Sequence, residues 1–232
     1  MSAKLGILGG TFDPIHVGHV DIGVAAEQAL GLTEVLVMPS HVPPHRRETF
    51  ASSFHRFAMV TLTACERPTW RASDVELLRE GHSYTSATLR LLHDQGHAPA
   101  SLYFIVGADA FADVATWKDY PAIFDLAHFA VISRTGSPVS DLPSRLPALA
   151  SRMTDAGGHS RDRLSIFLID APTTDVSSTA IRQRRARGES IAGLVTPSVQ
   201  QHIERHMLYT RAGAGTHARD YSTDPAAGRL HG

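Results

Sequence analysis

A short apolar run, Leu5 to Leu8, opens directly into Gly9-Gly10-Thr11-Phe12-Asp13-Pro14-Ile15-His16-Val17-Gly18-His19. A strand that ends in paired glycines just before a helix constrains the fold more than any other stretch of the chain. The glycines let backbone amides approach a phosphate closely. The following segment, Gly18–Leu30, reads as a helix, and its unpaired first amides would point toward the same spot. His16 and His19 can reach that spot as hydrogen-bond donors and, when protonated, as charges. The bland alternative is a glycine turn carrying two surface histidines.

Apolar runs then alternate with helical patterns. Strands are expected at Lys4–Gly9, Glu34–Pro39, Trp70–Val75, Leu102–Val106, Phe129–Ser133 and Ser165–Ile169. Helices are expected at Gly18–Leu30, Ser52–Cys65, Thr85–Gln95, Ala110–Thr116, Leu142–Asp155, Ser178–Arg187 and Pro197–His206. The alternation implies βαβ units, right-handed crossovers and a doubly wound, mostly parallel α/β sheet flanked by helices. Ligands in such folds sit beyond the C-terminal strand ends, near a switch point in strand order.

At 232 residues and 43% hydrophobic content, one core suffices, and residues 1–210 are expected to form one domain. Residues 211–232 are rich in Gly, Ala and charge with few large apolar groups, the composition of a disordered tail. A net charge of -1 argues against a general nucleic-acid or membrane-surface role. There is no bilayer-length apolar run and no signal-type segment before the first strand, so a cytoplasmic enzyme is expected. Cys65 is the single cysteine; it excludes an internal disulfide and, within a helical pattern, reads as a small buried apolar residue.

Four further segments follow a strand or open a helix. In His41–Arg47, Pro43 and Pro44 restrict a loop, and His45 with the Arg46 fork suits phosphate oxygens; alone, a solvated basic loop explains it equally well. In Gly81–Leu89, Thr85 caps a helix or leaves its amides to an anion, and Tyr84 offers a ring. After the strand that stops at Gly107, Asp109 accepts from a ribose hydroxyl or caps the next helix. Trp117 stacks on a planar ring or packs in the core. In Asp175–Arg182, Ser177, Ser178 and Thr179 are caps and anion binders at once, and Arg182 can turn back toward a phosphate. Arg184, Arg185 and Arg187 read as a solvated face.

The first motif resembles the signature of nucleotidyltransferases that carry a (His/Thr)-x-Gly-His motif, a signature shared across substrates. Together with Pro43-Pro44-His45-Arg46, Ser83-Tyr84-Thr85-Ser86-Ala87-Thr88-Leu89, Gly107-Ala108-Asp109 through Trp117, and Ser177-Ser178-Thr179-Ala180-Ile181-Arg182, it makes the chain resemble bacterial nicotinate-nucleotide adenylyltransferases from about Lys4 to Tyr209. Val176 stands where that family more often has isoleucine, a conservative departure. The resemblance implies a Rossmann-like nucleotidyltransferase fold. It implies transfer of AMP from ATP to nicotinate mononucleotide, giving deamido-NAD and pyrophosphate in NAD biosynthesis, by in-line attack without a covalent intermediate. Mg²⁺ would be held mainly by ATP phosphates and water. Gly9, Gly10, Thr11, Phe12, His16, Gly18, His19, Gly107, Asp109, Ser177, Ser178, Thr179 and Arg182 would bind ATP. Of these, His16, His19 and Arg182 would be catalytic. His45, Arg46, Tyr84, Thr85, Trp117 and Arg134 would bind the mononucleotide, the two arginines and His45 at its phosphate.

A sister enzyme using nicotinamide mononucleotide, phosphopantetheine or a choline-phosphate-like acceptor is the nearest alternative. The Ser83–Thr85 and Trp117 segments favour a pyridine nucleotide, and preference for the acid rests on the resemblance. A non-catalytic nucleotide sensor would keep the glycines and could lose His16, His19 or Arg182, all of which are present. A redox dinucleotide domain would need Gly-x-Gly-x-x-Gly in the first loop, and a nucleic-acid module would need basic charge. The expected partners are therefore ATP and a mononucleotide, with no nucleic acid or membrane. A homo-oligomer stays open.

Overall fold

The computed structural model describes residues 3–42, 49–158 and 164–210. Seven strands form one sheet: β1 (Leu5–Gly10), β2 (Glu34–Pro39), β3 (Trp70–Ala72), β4 (Leu102–Gly107), β5 (His128–Ile132), β6 (Met153–Thr154) and β7 (Ile166–Ile169). Their spatial order is β3-β2-β1-β4-β5-β7-β6, and every pairing is parallel. The chain builds outward from β1 to β3, then returns to add β4 on the other side of β1. The crevice beyond the carboxyl ends of β1 and β4 is the switch point where this fold class binds ligands.

Both sheet faces are covered, which is why the strands are apolar throughout rather than alternating. Successive side chains serve opposite cores. Leu8, Val37, Ile105 and Ala130 pack with Ile22 and Ala26 of α1 (Val17–Leu30), Met59 and Val60 of α2 (Ser53–Ala64), and Val199 and Ile203 of α7 (Pro197–Arg205). Ile7, Leu36, Phe104 and Val131 pack with Leu89 and Leu92 of α3 (Thr85–Asp94) and with Phe111 and Phe124. Gly23 of α1 is required by close approach: a Cβ there would lie 2.4 Å from the Trp70 ring. Trp70 in turn donates from Nε1 to Glu27 at 2.9 Å.

The expected helix Leu142–Asp155 is broken. It becomes α5 (Leu142–Arg145), a 3-10 segment Pro147–Arg152 and strand β6. Leu146 precedes Pro147 and sits at φ -128, ψ 61, because proline disfavours helical backbone in the residue before it. The expected helix Ala110–Thr116 likewise divides into α4 (Ala108–Phe111) and a 3-10 turn, Val114–Thr116. The strand expected over Trp70–Val75 pairs only to Ala72. Cys65 is exposed at the C-cap of α2, not buried, because the helix ends there and the apolar face ends with it. Among the described residues no helix is long and apolar enough to cross a membrane.

Candidate functional site

Two adjoining cavities open at the switch point. The smaller, about 280 Å³, is lined by His16, His19, Gly107, Asp109, Arg134 and Ser177 to Thr179. The larger, about 700 Å³, is lined by Gly10, Thr11, Ser83 to Thr85, Trp117 and Lys118. Gly9, Val106 and Ala110 belong to both walls, so the two spaces meet above β1 and β4.

The smaller cavity is built around the start of α1. His16 is its N-cap, with extended backbone at φ -145, ψ 170, and its N–H donates to His19 Nδ1 at 3.2 Å. The two imidazoles stack with centroids 3.7 Å apart, and the buried Phe12 ring meets His19 edge-on at 5.0 Å. Because His19 Nδ1 is an acceptor, the neutral ring carries its proton on Nε2 and offers it as a donor. His16 Nδ1 is buried without a partner. Burial, reinforced by the Arg134 charge and opposed by Asp21, lowers the His16 pKa to about 3. Burial holds His19 well below the usual range too, helped by His16 and Arg134. Both histidines are thus neutral hydrogen-bonding groups at physiological pH, not the charges their sequence position allowed.

The helix amides contribute less than a bare helix start would. The Val17 N–H is taken by Leu194 O at 3.1 Å, and the His19 N–H by His16 O at 2.9 Å. Positive charge comes from Arg134, which donates to Gly18 O at 3.2 Å and Val176 O at 3.1 Å. The side-chain hydrogen of Gly18 makes room for it, since a Cβ would lie 2.7 Å from Arg134 Nη1. Arg134 therefore stands in the histidine cavity and not beside Tyr84 and Trp117, the group in which sequence reasoning set it.

Ser177 Oγ caps α6 (Ser178–Ala186) by accepting from the Ala180 N–H at 3.2 Å. Ser178 Oγ donates to Pro14 O at 2.9 Å, stitching α6 to the first glycine loop. Arg182 donates to Asp13 O at 2.6 Å and Thr179 Oγ1 at 3.1 Å, and its guanidinium lies 4.4 Å from the Phe50 ring centroid. It grips the Asp13–Pro14 backbone and does not line either cavity. Phe12, at φ 50, is buried with its ring against His19 and lines neither cavity.

In the larger cavity, Thr85 is the first residue of α3 behind Tyr84 at the N-cap, with no side-chain cap bond. Thr85 is thus not the cap. Trp117 is half-buried, edge-on to Phe104 at 6.0 Å, so it packs on one side and faces the cavity on another. Asp109 is in the first turn of α4, whose N-cap, Gly107, makes no side-chain cap bond. His45 and Arg46 lie outside the described residues.

Asp13, Arg56 and Tyr209, which sequence reasoning missed, hold the site together. Buried Asp13 accepts from the amides of Phe50 at 2.7 Å and Ala51 at 3.1 Å, and from the Tyr209 hydroxyl at 2.8 Å. Buried Arg56 donates to Thr11 O at 2.8 Å and Ser40 O at 2.7 Å, joining the loops after β1 and β2. A signal for Arg56 was present: a lone arginine on the face of α2 that also carries Met59, Val60 and Thr63.

A Cytidylyltransferase-like family model matches residues 7–184. A probable nicotinate-nucleotide adenylyltransferase of Roseiflexus sp. (strain RS-1) is 42% identical over 212 residues, covering 90% of this chain and 98% of that protein. The chain belongs to the nicotinate-nucleotide adenylyltransferase family. A second probable member, from Shewanella frigidimarina (strain NCIMB 400), is 34% identical over 211 residues, covering 89% of this chain and 99% of that one. Among solved structures, Plasmodium falciparum nicotinic acid mononucleotide adenylyltransferase complexed with NaAD is similar at TM-score 0.67 and 17% identity, covering 90% of this chain and 98% of that one. Its complex with APC is similar to the same degree. At that identity the likeness establishes a shared fold. The family generally uses a divalent metal with ATP. Among the described residues no group of three or more His, Cys, Asp and Glu could hold a metal ion.

Proposed function

We propose that this chain transfers the AMP moiety of ATP to nicotinate mononucleotide, releasing pyrophosphate and forming deamido-NAD, as a catalytic domain of residues 1–210 acting in the cytoplasm. The observation that carries this reading is the pair of cavities meeting over Gly9, Val106 and Ala110. One is lined by the neutral histidine pair, Arg134 and the hydroxyls of Ser177 to Thr179; the other offers the Tyr84 and Trp117 rings. A nucleotide triphosphate suits the first and a pyridine ring the second, and family membership names the two substrates.

The reaction needs no covalent protein intermediate. The mononucleotide phosphate attacks the ATP α-phosphorus in line, and the protein positions the two phosphates and stabilises developing charge. In this reading the His19 Nε2–H donates to a phosphate oxygen as the bond to pyrophosphate breaks, and His16, the other imidazole lining that cavity, shares the duty. Arg134 supplies fixed positive charge. Gly9, Gly10, Thr11, Phe12 and Gly18 contribute backbone, and Gly107 and Asp109 meet the adenosine ribose. Arg182 acts by holding the Asp13–Pro14 backbone and reaches phosphate only by leaving it. Tyr84, Thr85 and Trp117 receive the pyridine ring, with His45 and Arg46 at the mononucleotide phosphate. Mg²⁺ would enter with ATP, held by phosphate oxygens and water, and neutralise charge on the triphosphate.

The test is direct product analysis. Purified protein with Mg-ATP and nicotinate mononucleotide should give equimolar deamido-NAD and pyrophosphate. Hydrolysis of ATP to AMP without a dinucleotide would overturn the assignment of the larger cavity to an acceptor.

A further inference from the structure

Phe50 is 66% exposed, and among the described residues it joins neither apolar core. Core packing therefore does not hold its ring; a cation does. The Arg182 guanidinium lies 4.4 Å from the ring centroid, within the range at which a ring face attracts a guanidinium. The backbone of Phe50 serves the same place. Its N–H donates to Asp13 Oδ2 at 2.7 Å, and Arg182 donates to Asp13 O at 2.6 Å. Asp13, Phe50 and Arg182 thus close a triangle of mutual contacts between the loop after β1, the residues leading into α2 and the second turn of α6. Residues in contact through shared partners are coupled in energy.

We propose that Phe50 is a positioning residue for the transfer: its ring restrains the Arg182 guanidinium on the Asp13 carbonyl, and Arg182 so restrained holds the loop after β1 where the two cavities meet. The inference rests on the proposed function and goes beyond it, from residues that meet the substrates to one that acts through another. The head of that loop is part of the site: Gly9 lines both cavities, and Gly10 and Thr11 line the larger. Ser178 Oγ fixes the same loop at Pro14 O, 2.9 Å away, and Arg56 fixes it at Thr11 O, 2.8 Å away. Arg182 also donates to Thr179 Oγ1 at 3.1 Å, on its own helix; the Phe50 ring adds a restraint from outside α6. Because the ring is exposed, the restraint is modest.

The experiment measures kcat/KM for Mg-ATP, at saturating nicotinate mononucleotide, in wild type, Phe50→Leu, Phe50→Tyr, Arg182→Met and the Phe50→Leu/Arg182→Met double variant. Leucine keeps apolar bulk and removes the ring face; tyrosine keeps the face. The value should fall about two- to fivefold in Phe50→Leu and stay near wild type in Phe50→Tyr. In the Arg182→Met background, Phe50→Leu should lower it no further. An unchanged value in Phe50→Leu, or an equal fall in both backgrounds, overturns the inference. So does a rise, which would mean that the ring detains Arg182 from the phosphates. If Arg182→Met turns over too slowly to measure, urea midpoints carry the same cycle: Phe50→Leu should shift the midpoint only where Arg182 is present, and equal shifts in both backgrounds overturn the inference. A wild-type protein that makes no dinucleotide overturns the proposed function, while the urea cycle still decides whether the ring restrains Arg182.

Discussion

His16 and His19 form a stacked pair, their ring centroids 3.7 Å apart, in which the His16 amide fixes the orientation of His19 through Nδ1. One residue therefore sets which nitrogen of the other faces the cavity. The His-x-Gly-His spacing has this geometric basis: an extended N-cap followed by one turn of helix brings the two rings face to face, and Gly18 between them leaves space for Arg134.

If His19 offers Nε2–H to the transition state, His19→Ala should lower kcat by roughly two to three orders of magnitude, the usual loss for one well-placed donor. Steady-state kinetics with near-wild-type turnover would remove His19 from that role.

The buried pair also makes stability depend on pH. The native protein keeps His16 neutral to about pH 3, whereas the unfolded chain titrates it at 6.5. Between those values the unfolded state binds more protons, so this stability is complete above 6.5 and is lost as pH falls. At pH 5 the loss is about 2 kcal/mol for one such histidine, and His19 adds in the same direction. Urea midpoints at pH 7.5 and 5 should show a smaller drop in His16→Gln than in wild type. Equal drops would mean that His16 is not held neutral.

Trp117 faces two ways, and kinetics separate them. A stacking role predicts that Trp117→Ala raises the Michaelis constant for the mononucleotide by an amount equivalent to roughly 1–3 kcal/mol, with a smaller effect on ATP. An unchanged constant would leave Trp117 as a packing partner of Phe104.

Asp13 is the junction of three elements: the first glycine loop, the residues leading into α2, and Tyr209. Tyr209→Phe removes one donor to it and should cost about 1–2 kcal/mol in chemical denaturation. Asp13→Ala strands buried donors and leaves Arg56 without a nearby negative charge, so its cost should be about 3 kcal/mol or more. An Asp13→Ala protein as stable as wild type would contradict this account of the loop.

The parallel sheet was legible because its strands, buried on both faces, are continuous apolar runs separated by helical periods; β2 has the bounds its sequence suggests. A site beyond the strand ends was legible because glycines and hydroxyl residues follow them; its division into two cavities was not. What escaped depends on partners distant in sequence. Arg56 shares a helix face with apolar residues, but what it binds shows only when the carbonyls of Thr11 and Ser40, from two other loops, converge on it. Tyr209 follows the expected helix Pro197–His206 with no local cue to a partner, and its hydroxyl meets Asp13, 196 residues away. Arg134 follows a strand end as expected, but only the approach of Gly18 and Val176 decides which cavity it serves.

The most direct test of the central claim is pyrophosphate release from Mg-ATP with nicotinate mononucleotide, nicotinamide mononucleotide and phosphopantetheine offered in parallel. Strong release is expected with the acid mononucleotide, weaker release with the amide and none with phosphopantetheine. Release driven by phosphopantetheine, or by no acceptor at all, would contradict that claim.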